Sequence, residues 1–529
     1  MLESNLADLL KGKVKAMLGI TGTEKLSSTS DDIWSTYFTL RREFPDWLEE
    51  FYEMAGMGAQ IPRKLYLKLG INTRSKLVDL LRESEYRLYS GAGDSSGKDQ
   101  LRRVLLMSRP INGKLILMAA RYYAEKIKQA MLLCQSVTQF SEVGSLRREE
   151  LWHDDLDFLV ATQEPDRTTT WIKNLPFLYS GSKVRRRGRV KQLQLIHYSG
   201  VPIHFYIVSP AEYPFYLQFL TGPKEHNEEL QARCPDYGSE RFITKISEER
   251  EVYERAGVAY VEPPIRARGI EAGVPTGRLI TREDIKGDLH LHSNWSDGLD
   301  GVLQMAEQGQ SMGYQYMGVC DHSPLHASAG GISHDKLEEQ IEFIRKCQNK
   351  VRIRLLAGCE VDIREDGSLD RPLSLLEKLD LVVASIHYPY SQDKETITKR
   401  IIRALDTGLV DILAHPTGKK SFGGPPSYHV DMEAVFKAAV RNETAVEINC
   451  FPDRDDLSAE LASLARKMQV KLVINTDAHH RGQMDFMWLG VSTARRAGLT
   501  SNDVLNTRDF ESFWVELKKR RLKRHHRLE

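Results

Sequence analysis

Seven short apolar runs punctuate the second half of this chain, at residues 288–292, 316–321, 353–360, 380–387, 410–415, 445–450 and 471–476. Helical stretches separate them, and six of the seven end in, or run directly into, a His, Asp or Glu. Few folds satisfy that pattern. Strands that alternate with helices pair in parallel. Closed into a barrel, they deliver the residues at their C-terminal ends to one face. A lone His in a strand is usually a core residue with a satisfied partner. Acids and imidazoles at six strand ends together are not accounted for in that way.

The donors are His290, His292, Asp297, His322, Glu360, His387, His415, Asp477 and His479. His290 and His292 are two apart, so on a strand they face the same side and can pinch one ion, and Asp477 and His479 repeat that spacing. Asp297 lies in a WSDG turn that can bend a carboxylate back to the strand mouth. Glu360 is the natural bridging and catalytic carboxylate between two ions. Nine ligands exceed what one ion requires, so two or three divalent metals are expected. Mixed imidazole and carboxylate donors suit Zn, Mn or Fe better than Ca. Clustered metals activate water and stabilise the leaving oxygen in phosphate-ester cleavage.

At 529 residues the chain exceeds a single core, since cores stop growing at roughly 250–300 residues. Its net charge of +1 excludes a general electrostatic grip on nucleic acid, so basic character is local. One basic run is Lys183–Lys191, containing Arg185, Arg186 and Arg187; another spans Lys518–Arg527 and reads either as a functional patch or as a solvated tail. Six cysteines without C-x-x-C spacing read as reduced thiols in a cytoplasmic protein. No apolar run reaches the roughly 20 residues that span a bilayer, so no membrane partner is expected.

Residues 1 to about 135 show helical spacing, as in Leu101, Val104 and Leu105 and then in Leu115, Met118, Ala119 and Tyr122. Strands are expected at Val137–Val143 and Leu156–Ala161, and at Gln192–Ile196 and Val201–Val208 as a hairpin joined at Ser199-Gly200. Residues 211–275 are mixed and helical, and VEPPIRARGIEAGVPTGR is the clearest linker.

The motifs GDLHLHSNWSDG, CDHS, GCEVDI, ASIHY, AHPTG, EINCFPDR and NTDAH resemble the PHP (polymerase and histidinol phosphatase) domain, in the form that follows an X-family DNA polymerase in bacteria and archaea. The resemblance covers roughly 281–529, including DVLNTRDFESF. It implies a distorted (β/α)7 barrel with a trinuclear site filled by the nine donors. It also implies 3′–5′ exonuclease activity and, in some members, 3′-phosphatase or AP-endonuclease activity. Lys419 and Arg454 would lie near the metals and bind substrate phosphate, or else be surface charge.

Gly144-Ser145 with Arg148, followed by Asp155 and Asp157, resembles the nucleotidyltransferase signature: a small turn for a triphosphate and alternate catalytic carboxylates for Mg²⁺. LTGPKEHN at 220–227 is similar to the TGSKEHN segment of the same polymerases, and MAGMGAQIPRKLY at 54–66 resembles a helix-hairpin-helix whose Gly56 and Gly58 would meet a DNA phosphate. Two departures follow. The third carboxylate of the family, in a motif like QVDLRVV, is replaced by His204 in PIHFYIV, and Pro62 falls inside the second helix of the hairpin.

The expected organisation is multidomain α+β and α/β: a helical, DNA-binding region at 1–140 with the helix-hairpin-helix; a nucleotidyltransferase-like palm at 141–210; a thumb-like region and linker at 211–280; and the PHP barrel at 281–529. The expected function is a DNA-repair hydrolase, a metal-dependent 3′–5′ exonuclease acting on 3′ ends of gapped or primer–template DNA, with dNTP and Mg²⁺ as palm ligands and polymerase activity weak or lost. The alternatives are an active gap-filling polymerase with exonuclease and a small-molecule, histidinol-phosphate-like phosphatase.

Overall fold

A computed structural model describes residues 113–528 apart from 176, 198–199, 271–276 and 421–425. The helix-hairpin-helix with Gly56, Gly58 and Pro62 lies outside the described residues, as does the apolar series at Leu101–Leu105. The strands in chain order are β1 (Leu115–Ile116), β2 (Val137–Glu142), β3 (Trp152–His153), β4 (Leu156–Thr162), β5 (Leu178–Arg187), β6 (Val190–His197) and β7 (Pro202–Val208). The barrel strands follow as β8 (Gly287–Leu291), β9 (Tyr316–Val319), β10 (Arg354–Asp362), β11 (Leu381–Ser385), β12 (Ile412–Leu413), β13 (Ala445–Asn449) and β14 (Leu472–Asn475).

The palm is a five-stranded sheet in the order β2-β4-β7-β6-β5. Four of its strands fall where the apolar runs placed them. Phe158 and Phe205 stack across the β4–β7 pair, and the helix Leu117–Leu132 lays its face of Met118, Tyr123, Ala124 and Ile127 into the same core. The remaining strand, β5, was hidden in charge: the basic run is not a loop but a hairpin, with Arg185 opposite Gln192 and Arg186 opposite Lys191 around a turn at Gly188. Long aliphatic stems let Lys and Arg occupy an edge strand whose other face is solvated.

The expected linker is partly built structure. Pro263–Arg268 forms a 3₁₀ turn, and Arg266 is fully buried against Glu249 at 2.7 Å. A buried guanidinium needs such a partner; Arg147 approaches the same carboxylate at 2.6 Å from the palm. Polar, Pro-rich composition hid this contact.

All seven expected barrel strands are present, in one parallel sheet in sequence order from β8 to β14. Every residue of β8, β9, β11, β13 and β14 is buried, as parallel strands covered on both faces require. The sheet nearly closes: Leu291 bridges Ala478 in parallel, and Asp477 N–H donates to the His290 carbonyl at 3.0 Å. At the opposite end of the seam, Asn506 replaces the missing ladder. Its Nδ2 donates to Gly287 O at 2.7 Å and Ile474 O at 2.6 Å, and its Oδ1 accepts from Ile474 N at 3.1 Å. The C-terminal basic run is the end of a helix, Phe510–Leu528, whose Phe513 stacks on Tyr316 beneath the barrel. No described helix is long and apolar enough to cross a membrane.

Candidate metal centre

The parallel strands turn nine scattered positions into one cluster at their C-terminal ends. Glu360, at the seventh residue of β10, sits in the middle with its side chain 1% exposed. Its Oε1 lies 3.0 Å from His415 Nε2 and 3.3 Å from His387 Nε2. Its Oε2 lies 2.8 Å from His322 Nδ1 and 3.5 Å from both His290 Nε2 and His292 Nε2. One carboxylate thus faces two groups of imidazoles. Asp477 Oδ1 approaches His292 Nε2 at 3.0 Å, and Asp297 stands between His479 at 3.4 Å and His322 at 3.6 Å. The His292 ring stacks between those of His322 and His479, at centroid distances of 4.3 Å and 4.2 Å.

The chain holds these donors under strain. His415 has φ +27° and Asp477 φ +55°, a region that costs a non-glycine residue about 1–3 kcal/mol. Burial raises the carboxylates and lowers the imidazoles, but mutual attraction outweighs it in several cases. Glu360 lies well below the carboxylate range because His387, His290 and His322 surround it. The reciprocal effect of Glu360 and Asp362 lifts His387 to about 9.

Arg454 comes within 3.6 Å of Asp477, while Lys419 is tied to Asp455 at 2.5 Å. Motif reading overlooked three supporting residues. Glu447 is on β13, the strand that ends without a ligand, and accepts from His290 Nδ1 at 2.8 Å. Asn475 and Asn449 each donate to Glu447 at 3.0 Å, so its orientation is fixed. Asp362 holds His387 Nδ1 at 3.0 Å. His326 stacks flat on His387 at 4.1 Å and meets His322 edge-on at 4.6 Å. Asp362 stands two residues after Glu360, and that spacing was the available signal, while Glu447 lies inside the EINCFPDR motif already quoted. His326 gave none.

In the palm, β4 and β7 run parallel with Asp157 directly opposite His204. His204 Nδ1 lies 3.1 Å from Asp157 Oδ1 and 3.4 Å from Asp155 Oδ2. Burial lowers the pKa of His204, but the two carboxylates outweigh it and raise the pKa. Burial and the neighbouring Asp157 lift Asp155 to about 6. Gly144 has φ +62°, and a Cβ there would meet Asp157 Oδ2 at 2.6 Å, so only glycine lets the turn approach the carboxylates. Ser145 Oγ is held by His153 Nδ1 at 2.8 Å. Arg148 is drawn to the Thr221 carbonyl and to Glu150. Arg185 and Arg186 are exposed on β5, two strands from His204; the side chain of Arg187 lies outside the described residues.

A family model described as PHP domain matches residues 288–450. The DNA polymerase/3′-5′ exonuclease PolX of Bacillus subtilis (strain 168) is 32% identical over 500 residues, spanning 92% of this chain and 87% of that protein. The chain belongs to the PolX family. Shorter relatives match part of the chain. A probable phosphatase of Thermoanaerobacter sp. (strain X514) is 32% identical over 235 residues, covering 42% of this chain and 89% of that protein. The solved structure of Leishmania infantum polymerase beta in a ternary complex aligns with 40% of this chain and 94% of that one, at 15% identity and a TM-score of 0.24; a likeness that low carries no weight.

PolX membership and the PHP match imply divalent metals, and the donor chemistry fits them. Four groups of three or four donors from the barrel lie close enough to share ions: His292, Asp297, His322 and His479; His290, His292 and Asp477; Glu360, His387 and His415; and His322, His326 and His387. Glu360 Oε2 and His322 Nδ1 face each other at 2.8 Å without the alignment of a hydrogen bond, and His292 Nδ1 is buried with no partner, a cost that a bound cation would remove.

Proposed function

We propose that this chain is a metal-dependent phosphoesterase that trims DNA from the 3′ end, a 3′–5′ exonuclease of DNA repair whose palm half grips DNA and nucleotide but polymerises weakly. The observation that carries this is the convergence of Glu360 and the eight other barrel donors in one cluster, set beside a palm in which His204 pairs with both carboxylates.

The nine donors would hold two or three divalent metals of the Zn, Mn or Fe class, which supply an activated water and neutralise the charge of the scissile phosphate. The protein's own residues set the geometry. Glu447 and Asp362 occupy the Nδ1 positions of His290 and His387 and so direct each Nε2 to the cluster, as such partners do in metal-binding histidines. Arg454 presents a guanidinium beside Asp477, placed to receive a phosphate oxygen. Lys419 would serve a phosphate only by leaving Asp455.

In the palm, the pair Asp155 and Asp157 would accept Mg²⁺ with a triphosphate, and Gly144, Ser145 and Arg148 would meet its phosphates. Catalysis of transfer needs a further oxygen ligand near the primer hydroxyl. His204 offers a nitrogen, and as an imidazolium it competes with the cation for both carboxylates. The division at 1–140, 141–210, 211–280 and 281–529 serves the same reading, with DNA held by the N-terminal region and the basic hairpin. A small-molecule phosphatase is disfavoured because the probable phosphatase matches 42% of this chain, whereas the polymerase/exonuclease matches 92% of it.

The test is digestion of end-labelled primer–template DNA by the full chain in Mn²⁺, with and without dNTPs. Shortening from the 3′ end that dNTPs do not convert to extension is the expected result. Extension in Mg²⁺ at a rate exceeding digestion would show a working polymerase instead.

A further inference from the structure

A cavity of about 1180 Å³ lies where palm, thumb-like region and barrel meet. The turn Gly144-Ser145, Arg148 and the carboxylates Asp155 and Asp157 line one side, and Phe219, Lys224 and Tyr237 another. The third wall belongs to the hydrolytic half: Arg496, Glu460 and Ala459, with Arg268 from the segment that leads into it.

Arg495 and Arg496 end the same helix, Met487–Arg496, and do opposite things. Arg495 is fully engaged as a tie between the halves: it bonds Glu149 and Glu262 at 3.1 Å each, and donates to the Ile280 carbonyl at 3.1 Å. Arg268 makes a second tie, to the Ala497 carbonyl at 2.8 Å and to Ser463. Arg496 makes neither kind of contact. Its Nη2 donates to Thr493 Oγ1 at 3.0 Å, its Nε is buried without a partner, and among the described residues it forms no ion pair. Asp455, Glu460, Glu149 and Glu150 act on it only at longer range. A guanidinium kept at a cavity wall with an unfilled donor is suited to an oxyanion that bridges from the opposite wall.

We propose that the barrel half completes the nucleotide site of the palm, with Arg496 binding a phosphate of a nucleoside triphosphate held at Gly144-Ser145 and Asp155–Asp157. This rests on the palm retaining nucleotide binding, as stated above. A triphosphate suits the cavity better than a DNA terminus would. The carboxylate pair invites a cation-bound polyphosphate, and Phe219, 40% exposed on the same cavity, offers a surface for sugar or base. A ligand that touches both halves stabilises their present packing, because its contacts on the two sides exist together only in that arrangement.

The experiment is equilibrium titration of the full chain with dATP in Mg²⁺, using the wild type, Arg496→Gln, Arg496→Lys and the pair Asp155→Asn/Asp157→Asn, each checked for an unchanged melting transition. Loss of one charge-assisted contact should weaken Arg496→Gln about tenfold, with Arg496→Lys between it and the wild type. Equal affinity of Arg496→Gln and the wild type, while the double Asp variant loses binding, would overturn the role of the barrel and leave the palm reading intact. Failure of the wild type to bind dATP would remove the palm reading and this inference with it, but not the nuclease. Weakened binding of a primer–template end with unchanged dATP affinity would overturn the inference in favour of DNA at Arg496.

Discussion

The barrel and the palm are two answers to the problem of holding cations with strand-end side chains, and they differ in redundancy. In the barrel, nine donors converge, and the histidines His290 and His387 each have a carboxylate partner behind them. In the palm, three positions share the task, and one of them is His204. Changing one donor among nine leaves most of the field in place. Changing one among three replaces an oxygen by a nitrogen that pairs with the remaining two acids. On the proposed reading, a three-donor site is lost with one substitution, whereas a nine-donor site backed by Glu447 and Asp362 is not.

The largest effect that would break this contrast is loss of the barrel donors. His290→Ala/His292→Ala should reduce 3′ digestion by about 10³-fold or more, the scale of losing groups that act as a unit, and elemental analysis should show fewer than the two or three ions expected of the wild type. Digestion at the wild-type rate would place the nuclease elsewhere.

Next in size is repair of the palm. His204→Asp should restore an oxygen ligand and raise template-directed extension by about 10² to 10³-fold, by analogy with a single electrostatic catalytic group. No gain would mean that the palm's deficit extends beyond one residue.

Glu447→Gln sharpens the claim of buttressing. It keeps the shape but removes the charge behind His290, and metal affinity should fall about 10 to 100-fold. The readout is a metal-competition titration, and an unchanged affinity would show that the charge behind His290 does not tune the site.

The join between palm and thumb-like region carries its own pH signature. Burial raises Glu249, but hydrogen bonds and charges from Arg147 and Arg266 outweigh that and bring it from an ordinary 4.5 to about 2. A carboxylate lowered on folding adds stability that is complete above about 4.5 and is lost as pH falls toward 2. By pH 3 the loss is about 2 kcal/mol, and Glu249→Gln should flatten that part of a pH series of denaturant midpoints. An equally steep series in the variant would assign acid lability to other groups.

The smallest effect concerns the exposed hairpin. Arg185→Ala/Arg186→Ala/Arg187→Ala should weaken sequence-independent DNA binding and reduce the slope of log affinity against log salt by up to about 3, one counterion per lost phosphate contact. An unchanged slope would make the run a solvated edge.

How much of this was legible beforehand follows from the physics of each element. The barrel strands were readable because a parallel strand buried on both faces is a run of apolar residues, and because its ligands sit at its end. In the palm, β4 was readable as an apolar run and β7 as an alternation of buried and more exposed residues. Strand β5 was not, since an exposed edge strand built of Lys and Arg carries no apolar signal. The linker misled through composition: Arg266 is polar by type but buried, and only the presence of Glu249 makes that tolerable.

What the sequence determined by itself is the candidate chemistry: nine potential donors in order and the alternate pair Asp155 and Asp157, while the family resemblance marks His204 as standing where a third acid is expected. Those depend on residue type and spacing, which a chain carries before it folds. What only the tertiary structure decided is partnership. Asn506 closes the barrel seam 219 residues from Gly287, Glu447 stands behind His290 from 157 residues away, and Arg496 reaches from the barrel helix to the palm cavity. Hydrogen bonds and ion pairs act over a few ångströms, so which distant residues meet is settled by how the chain packs, and no local pattern records it.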